Sequence, residues 1–333
     1  MLSILAQRAH NTDLSLDIKK ALFKSWLMST KTSRKSGNIQ RSYTFLLEMN
    51  KIRGSLSLTF GDSTHESTVS SLTDLENSQA ILETAKIEWN KSKIGAIQYL
   101  KNQIEQNYQS SVNYCFQRAV TNLNESFSAE ELLEIKNSMS YGSSSIPSYL
   151  SSSSTTTGSD VSIRDQTADE AFARLQLLYA KYCDQNGLLN QNNLAILYKI
   201  VTIAAPNSEE SHYNLGMYCH RIYKSFEDSK RNHRLFSLGK TEEILEMKGR
   251  TVRSLIESLK YGVKHAHNSL PLLLNIWLDL GTELAHSINR GRSSVSSSQL
   301  NEEIRKTIEK INNNLNDLLA NVPLYIFFIV FAQ

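Results

Sequence analysis

The chain has 333 residues, of which 40% are hydrophobic and 21% are charged, and its formal net charge is +3. This near-neutral balance argues against a dedicated nucleic-acid-binding protein, which would show a strong, clustered basic excess. Only four prolines and 13 glycines are present, too few for the turns of a strand-rich fold, so long helices are expected. The odd number of widely spaced cysteines, Cys115, Cys183 and Cys219, predicts buried thiols of a reducing compartment and no disulfide framework.

Residues 13–50 carry the first helical pattern. A spacing of three and four residues predicts one helix face, made of Leu14, Ile18, Ala21, Leu22, Ser25, Trp26 and Ser29. Gly37 is expected to end this helix as its C′ residue, and Asn38 to cap the next helix. The second helix keeps the period through Ile39, Tyr43, Leu46 and Leu47. Together the two segments predict a helical hairpin.

The hairpin pattern returns further along the chain. Residues 73–106 predict two helices, with apolar faces at Ile81, Leu82, Ala85 and Trp89 and at Ile94, Ile97, Leu100 and Ile104. Residues 167–205 predict another pair divided at Gly187, and residues 208–226 a helix capped by Ser208. No segment has strand periodicity. The predicted fold class is therefore all-α, an α-solenoid of TPR-like antiparallel helical hairpins.

Polar segments interrupt these helices. Residues 138–162 contain 12 serines and three threonines and no lysine, arginine or glutamate. Such a tract cannot bury enough apolar area to offset the entropy lost on ordering, so a disordered insertion is predicted. Residues 61–71 and 290–298 are shorter loops of the same kind. A solenoid accepts such insertions because each hairpin contacts mainly its neighbours.

The two ends of the chain also lead to expectations. The first residues, MLSILAQRAHNTD, have neither a basic n-region nor a cleavage site, so no signal peptide is expected. The last residues, VPLYIFFIVFAQ, contain an apolar run of about ten residues, well short of the roughly 20 needed to span a bilayer. A chain that stops within such a run is expected to be truncated.

A search for catalytic motifs gives no candidate: no glycine-rich phosphate loop, nucleophile elbow, HExxH or CxxC is present. The best metal-binding candidate is the set His212, Cys219 and His220, but a structural zinc site needs four ligands and no partner pair lies nearby. A buried or half-buried helix face is the favoured interpretation of these three residues. No catalytic, cofactor-binding or metal-binding residue is predicted.

The segment SLKYGVKHAHNSLPLLLNIWLDLGTE, residues 258–283, contains two histidines and a carboxylate. His265 and His267 are two residues apart on a predicted helix, so they diverge and cannot chelate one ion together. Close to the C-terminus of that helix, either could interact favourably with the dipole when protonated. Asp279 falls on a polar strip with Asn275, Thr282 and His286. The apolar face is predicted to be broad and largely buried, and it contains Leu272, Leu273, Leu274, Ile276, Trp277, Leu278 and Leu280.

The segment KTSRKSGNIQR is the most basic part of the first hairpin. Its cations, Lys31, Arg34, Lys35 and Arg41, surround the predicted turn. They could contact phosphates, but a solvated helix end, where cations suit the C-terminal dipole, is favoured.

Several of these segments together resemble the FAT domain of ATR-type checkpoint kinases, which are phosphatidylinositol 3-kinase-related protein kinases. Trp26 with STKTSRKSGNIQRSYTFLL resembles the first conserved hairpin of that region, and EWNKSKIGAIQYL its tryptophan-containing repeat, although Ser92 and Lys93 replace the usual Gly-Asp turn. SHYNLGMYCHRIYKSF stands in the place of a further family helix. The most specific resemblance is at SLKYGVKHAHNSLPLLLNIWLDLGT, although Leu272 replaces a basic residue, and VPLYIFFIVFAQ resembles the segment that follows it.

The resemblance implies FAT-like helical repeats at residues 1–137 and 163–333, separated by the insertion at 138–162 and continuing toward a kinase domain that this sequence does not contain. The complete protein would be a serine/threonine protein kinase of DNA-damage and replication-stress checkpoint signalling in the nucleus. ATP and Mg²⁺ would belong to that kinase domain and not to this segment. The partners implied are the protein's own kinase domain, regulatory proteins and a homodimer mate, with no membrane contact and no direct nucleic-acid binding.

Two alternatives remain open from the sequence. A free-standing helical-repeat interaction module would have the same helices and no kinase domain in its polypeptide. A nucleic-acid-binding solenoid would instead use Lys31, Arg34 and Lys35 for phosphate contacts.

Overall fold

In the computed structural model, the described residues are 16–58, 74–109, 111–112, 114–115, 166–232 and 238–290, with the single positions 302, 306, 309 and 313. Nine helices have both ends within residues 16–290 of this set: α1 Leu16–Lys35, α2 Ile39–Leu58, α3 Asp74–Lys91, α4 Lys93–Asn107, α5 Gln166–Asn186, α6 Gln191–Ala204, α7 Glu209–Asn232, α8 Leu238–Tyr261 and α9 Ala266–Arg290. The described residues 109, 111, 112, 114 and 115 are helical as well. No strand occurs among the described residues. The predicted all-α solenoid of helical hairpins is confirmed.

Local turn chemistry places the helix ends where the sequence predicts them. Gly37 and Gly187 have positive φ angles of 80° and 61°, a backbone conformation that glycine adopts without steric cost. After Gly37, the side chain of Asn38 accepts a hydrogen bond from the N–H of Arg41 at 3.0 Å. Ser208 caps α7 in the same way, through a 3.3 Å bond from the N–H of Ser211. The predicted glycine and cap residues are therefore confirmed.

The turn between α3 and α4 is built by a serine. Ser92 has extended backbone angles (φ −149°, ψ 112°) and caps α4 by accepting a hydrogen bond from the N–H of Gly95. An N-cap oxygen satisfies one of the free N–H groups at a helix start. Just before this turn, Trp89 stacks on Tyr182 of α5, with ring centroids 3.8 Å apart. The Ser-Lys sequence thus supplies the turn that the Gly-Asp pair of the resembling family would supply.

The chain divides into two compact units, Met1–Leu194 and Ala195–Gln333. The core of the first unit lies where α1, α2 and α3 meet, and contains Leu22, Phe23, Trp26, Leu27, Leu46, Met49, Ile52, Ala80 and Ile87. Helix α3 also packs against α4 and α5. All three cysteines are free and buried, as predicted.

The buried face of α1 differs from the predicted one. Ile18, Ala21 and Ser25 are exposed, whereas Phe23 and Leu27 are buried together with Leu22 and Trp26. The Ser25 hydroxyl donates to the Ala21 carbonyl at 2.9 Å, within its own helix. Two other predicted face residues, Leu47 of α2 and Ile94 of α4, are exposed as well. Because apolar residues occur on two sides of these helices, their spacing alone does not show which side is covered.

The core of the second unit lies between α7, α8 and α9. Its buried members are Tyr223, Leu245, Val252, Leu255, Ile256, Leu259, Ala266, Leu273, Ile276 and Leu280. Helix α8 contributes residues at a regular spacing of three and four, which gives it a continuous apolar stripe. The insertion predicted at 138–162, the loop at 61–71, the N-terminal segment and the VPLYIFFIVFAQ segment lie outside the described residues, and most of 290–298 does too. The predicted division at residues 137 and 162 therefore stays a prediction.

Candidate functional site

The segment from 258 to 283 is not one continuous helix. Helix α8 ends at Tyr261, and α9 begins at Ala266. The turn between them is closed by hydrogen bonds from Gly262 N–H to the Ser258 carbonyl (3.2 Å) and from Ala266 N–H to the Val263 carbonyl (3.1 Å). His267 therefore lies in the first turn of α9, and the prediction that it interacts with a helix C-terminus is wrong.

A carboxylate from α7 holds this turn in place. Glu209 Oε1 accepts a hydrogen bond from the His265 N–H at 2.7 Å, and the Glu209 carbonyl accepts one from the Ser258 hydroxyl at 3.1 Å. The carboxylate also lies against Gly262, where an added Cβ would be 2.0 Å from Glu209 Oε2. Only a residue without a side chain leaves room for both the turn and the carboxylate.

Tyr213 of α7 fixes the other side of the turn. Its ring stacks on the His265 ring, with centroids 4.0 Å apart and planes 5° from parallel. Its hydroxyl accepts a hydrogen bond from the Asn268 side chain at 3.2 Å. His265 is thus half-buried against a tyrosine. It has a packing role, as predicted for the two histidines of this segment.

Replacing Gly262 by alanine is expected to lower the free energy of unfolding by about 2 kcal/mol. The new Cβ displaces the Glu209 carboxylate, and the loss of its charge-assisted hydrogen bond to the His265 N–H has a cost of that order. Chemical denaturation of the purified chain measures the change. Gly249→Ala is the control, since no atom lies within 4 Å of a Cβ at Gly249, and alanine stabilises a helix interior by roughly 0.5–1 kcal/mol over glycine. Equal effects of the two substitutions would contradict the steric explanation.

Helix α9 is buried on only one side. Leu273, Ile276 and Leu280 face the core. On the other side an apolar ridge, formed by Leu274, Trp277 and Leu278, is 43%, 38% and 55% exposed. The prediction that this ridge belongs to the buried face is wrong. We name these three residues the α9 ridge.

The polar strip beside the ridge is placed as predicted. Asn275, Asp279 and Thr282 are all exposed. The side chain of His286, the fourth predicted member, is not among those that the structure describes. Asp279 is accordingly a solvated residue on the edge of α9.

A buried lysine lies between α7 and α8. Lys248 is 1% exposed, and its Nζ is 2.7 Å from Glu227 Oε1. Lys224 Nζ binds the other carboxylate oxygen at 3.0 Å. Burial raises the pKa of Glu227, but the hydrogen bonds and charges of the two lysines outweigh burial and hold that pKa below its ordinary value. The sequence carries a signal for this residue, since Lys248 falls on the same helix face as Leu245, Val252, Leu255 and Leu259.

A second buried carboxylate binds the arginine of the basic hairpin turn. Arg34 donates to both oxygens of Glu83, from Nε at 2.7 Å and from Nη2 at 3.3 Å. Lys86 Nζ adds a contact of 3.0 Å. Burial raises the pKa of Glu83, and these cations reverse the direction and lower it. Arg34 therefore anchors the first hairpin to α3, and its charge is compensated within the unit.

The three candidate metal ligands have separate partners. The His212 ring stacks on Tyr261 and its Nε2 is hydrogen-bonded to the Pro206 carbonyl at 2.7 Å, whereas His220 Nδ1 is bonded to the Tyr223 hydroxyl at 2.8 Å. Burial raises the pKa of the Cys219 thiol to about 11. In the part of the chain that the structure describes, no three His, Cys, Asp or Glu side chains are grouped as metal ligands. None of the helices described is both long and apolar enough to cross a bilayer.

Comparison with known proteins agrees with the helical architecture and with the resemblance of its segments. The family model described as "FAT domain" matches residues 2–275. Protein kinase rad3 of Schizosaccharomyces pombe is 27% identical over 159 residues, or 47% of this chain. Serine/threonine-protein kinase MEC1 of Candida albicans is 24% identical over 165 residues, or 50% of this chain.

Both relatives are far longer proteins, since each match covers 6% of the relative's length. No solved structure matches the chain. The family model covers most of the sequence, including the first part of the 258–283 segment. The resemblance to the FAT region of ATR-type kinases is thereby confirmed. The chain belongs to the FAT domain family.

Proposed function

We propose that this chain is the helical scaffold of an ATR-like serine/threonine protein kinase, where it supports and regulates a kinase domain of the same polypeptide. The observation that carries the proposal is the FAT domain match over residues 2–275, together with similarity to two proteins named as protein kinases. The scaffold contributes no catalytic residue. ATP and Mg²⁺ are bound by the kinase domain. The complete protein acts in checkpoint signalling after DNA damage or replication stress, in the nucleus.

The α9 ridge is the surface we assign to the kinase domain. Leu274 and Leu278 lie one helical turn apart and are about half exposed, so an adjoining domain would remove apolar area from water there. The ridge belongs to the helix with the most specific family resemblance. The opposite face of that helix is held in the core by Leu273, Ile276 and Leu280. A rigid helix with one anchored face and one apolar outer face can position a neighbouring domain.

The test uses the full-length polypeptide and measures phosphorylation of a peptide with a Ser-Gln site. Leu278→Asp is expected to lower kcat about tenfold, which corresponds to 1.4 kcal/mol in the activation barrier. A charge on the ridge prevents apolar docking, but it leaves the core of the scaffold intact. Leu47→Asp is the matched control, because Leu47 is also a helical leucine and is 54% exposed. Its activity is expected to stay within about twofold of the unsubstituted protein.

Equal activity of the two variants would remove the ridge from the proposal. The proposal that the chain is the scaffold of a kinase is contradicted by a different result. If the full-length polypeptide contains no kinase domain and phosphorylates no peptide, the chain is a helical-repeat interaction module, which is the alternative reading of the sequence. Localisation of the tagged full-length protein tests the nuclear assignment separately.

A further inference from the structure

The start of α9 is completed by a residue of α7. His265 lies just before the helix as its N-cap, since its carbonyl accepts hydrogen bonds from the N–H groups of Asn268 and Ser269, both at 3.0 Å. In a capping box, the N–H of the N-cap is bonded by a glutamate three residues later in the same helix. That position is Asn268 here, and the carboxylate comes instead from Glu209, whose Oε1 is 2.7 Å from the His265 nitrogen. The first turn of α9 therefore depends on another helix.

Glu209 and Tyr213 bind both sides of the turn between α8 and α9. They are four residues apart in the sequence, so they lie on one face of α7. The Glu209 carbonyl accepts a hydrogen bond from the Ser258 hydroxyl of α8 at 3.1 Å. On the α9 side, the Tyr213 ring stacks on the His265 ring with centroids 4.0 Å apart. We name Glu209 and Tyr213 the α9 clamp, because they tie both helices to α7 where the chain passes from one to the other.

A hydrogen bond at the start of a helix controls the helix direction in a way that apolar packing does not. The packing of Leu273 and Ile276 in the core is non-directional, whereas an N–H···O bond weakens steeply when its angle changes. At a rise of 1.5 Å per residue, Leu278 of the α9 ridge lies about 18 Å from the first residue of α9. A tilt of about 10° at the turn would move Leu278 by about 3 Å. A small change at the clamp therefore becomes a large displacement of the ridge.

We propose that Glu209 is a positioning residue for the kinase domain, and that it acts by fixing the α8–α9 turn and hence the α9 ridge. This inference rests on the proposed function, in which the ridge receives the kinase domain. A carboxylate suits the task, because a charged acceptor at a helix N-terminus makes a stronger bond than a neutral one and interacts favourably with the helix dipole. Displacement of reacting groups by about 1 Å can lower a rate roughly a hundredfold. A clamp that is distant from the reacting atoms can therefore control kcat.

The test uses the full-length polypeptide, with kcat and KM measured for the Ser-Gln peptide and activity referred to the folded fraction of each variant. Glu209→Ala is expected to lower kcat about tenfold. The KM for the peptide is expected to stay within about twofold, because the scaffold takes no part in binding the peptide. Glu209→Gln keeps an acceptor oxygen at the same place, so its kcat is expected to be within about threefold of the unsubstituted protein. Loss of stability alone would not produce this split between kcat and KM.

Glu210→Ala is the matched control. Glu210 also lies in the first turn of α7 and carries the same charge near the helix start, but its ion pair with Lys264 is exposed and 3.8 Å long. Exposed pairs contribute little, so kcat is expected to stay within about twofold. Gly262→Ala reaches the clamp from the opposite side, because the added Cβ would lie 2.0 Å from Glu209 Oε2. It is expected to lower kcat when Glu209 is present and to have little further effect in the Glu209→Ala background.

Combination with Leu278→Asp shows whether the clamp acts through the ridge. Substitutions that act on one shared element are not additive, so the double variant Glu209→Ala/Leu278→Asp is expected to lose about tenfold in kcat, like each single variant. A loss near a hundredfold, the product of the two single effects, would mean that Glu209 acts by another route and would overturn the inference.

The remaining outcomes separate this inference from the proposed function. If Leu278→Asp lowers kcat and Glu209→Ala does not, or if Glu210→Ala acts like Glu209→Ala, the clamp does not position the kinase domain and the ridge keeps its assigned role. If Leu278→Asp has no effect, the ridge assignment is wrong and the inference fails with it. If Glu209→Ala does not fold, the other two variants decide: the inference requires a lowered kcat in Gly262→Ala and a nearly unchanged kcat in Glu209→Gln.

Discussion

Replacing Glu227 by glutamine is expected to lower the free energy of unfolding by about 3 kcal/mol or more, which makes it one of the most destabilising changes in the second unit. Lys248 is 1% exposed, and Glu227 lies 2.7 Å from its ammonium group. Removing one partner of a buried ion pair leaves the other charge without compensation in a low-dielectric environment, which costs about 3–5 kcal/mol. Urea or guanidinium denaturation of the purified chain at neutral pH measures this loss.

The companion substitution Lys248→Met is the control, and its effect is expected to be within about 1 kcal/mol. It removes the buried charge together with the need for a partner, and an apolar chain of similar length replaces the lysine stem. Glu227 keeps its bond to Lys224, which reaches solvent. If Lys248→Met were as damaging as Glu227→Gln, the charge pair would be stabilising in itself, and desolvation would not explain the asymmetry.

A pH series separates the charge of Glu227 from its shape. Its pKa is lower in the folded chain than its ordinary value of 4.5. A carboxyl group with a lowered pKa contributes stability above the unfolded-state pKa, and this contribution is lost as the pH falls through the folded-state pKa. The difference between the unsubstituted chain and Glu227→Gln is therefore expected at neutral pH and should shrink below about pH 4.5.

Truncating Ile276 to alanine is expected to destabilise the second unit by about 3 kcal/mol. Ile276 is fully buried in the cluster that joins α9 to α7 and α8, and loss of a buried isoleucine side chain costs roughly 2–5 kcal/mol through the lost burial and the remaining cavity. The measurement is equilibrium unfolding followed by circular dichroism.

Leu278→Ala, two positions further along the same helix, is the matched control. Leu278 is on the α9 ridge, so its truncation is expected to cost less than about 1 kcal/mol. A cost for Leu278 equal to that of Ile276 would show that the ridge is covered in the isolated chain. The two substitutions therefore report which side of α9 is the core side.

The elements that sequence predicts well are those determined by neighbouring residues. Gly37, Asn38, Gly187 and Ser208 lie at helix ends because a left-handed backbone position or a capping oxygen is needed within a few residues of the helix itself. These requirements are local. For the same reason, the hairpins before Ser208 follow from the period of apolar residues, whereas helix α8, Leu238–Tyr261, is not among the predicted elements.

The orientation of the helix faces is harder to predict, because it depends on what packs against each helix. On α9, apolar side chains surround most of the circumference, and only the fold shows that Ile276 is covered while its neighbour Trp277 is partly exposed. On α1, the same ambiguity leads to the prediction that Ser25 is on the buried face, whereas the structure buries Leu27 instead. A hydrophobic period identifies a helix. When serine and alanine are counted as possible core residues, however, more than one side of the helix fits that period as the buried face.

Hydrogen bonds and ion pairs between residues that are distant in sequence could not be predicted at all. The Arg34–Glu83 bond spans 49 residues, and the contact of Glu209 with the His265 N–H spans 56. Glu209 can be noted from sequence as an acidic residue in the first turn of a helix, yet its bond to a remote turn depends on how α7 and α8 pack.

The contact between Glu209 and Gly262 makes the order of mutations important in the evolution of this segment. A change at Gly262 while Glu209 is present meets a steric conflict at once. A prior change of Glu209 to a shorter residue gives up a hydrogen bond but opens the space that a side chain at position 262 would need. The side chain that position 262 can accept is therefore limited by a glutamate in another helix, and of the two orders in which both positions could be substituted, only the one that starts at Glu209 avoids a clash.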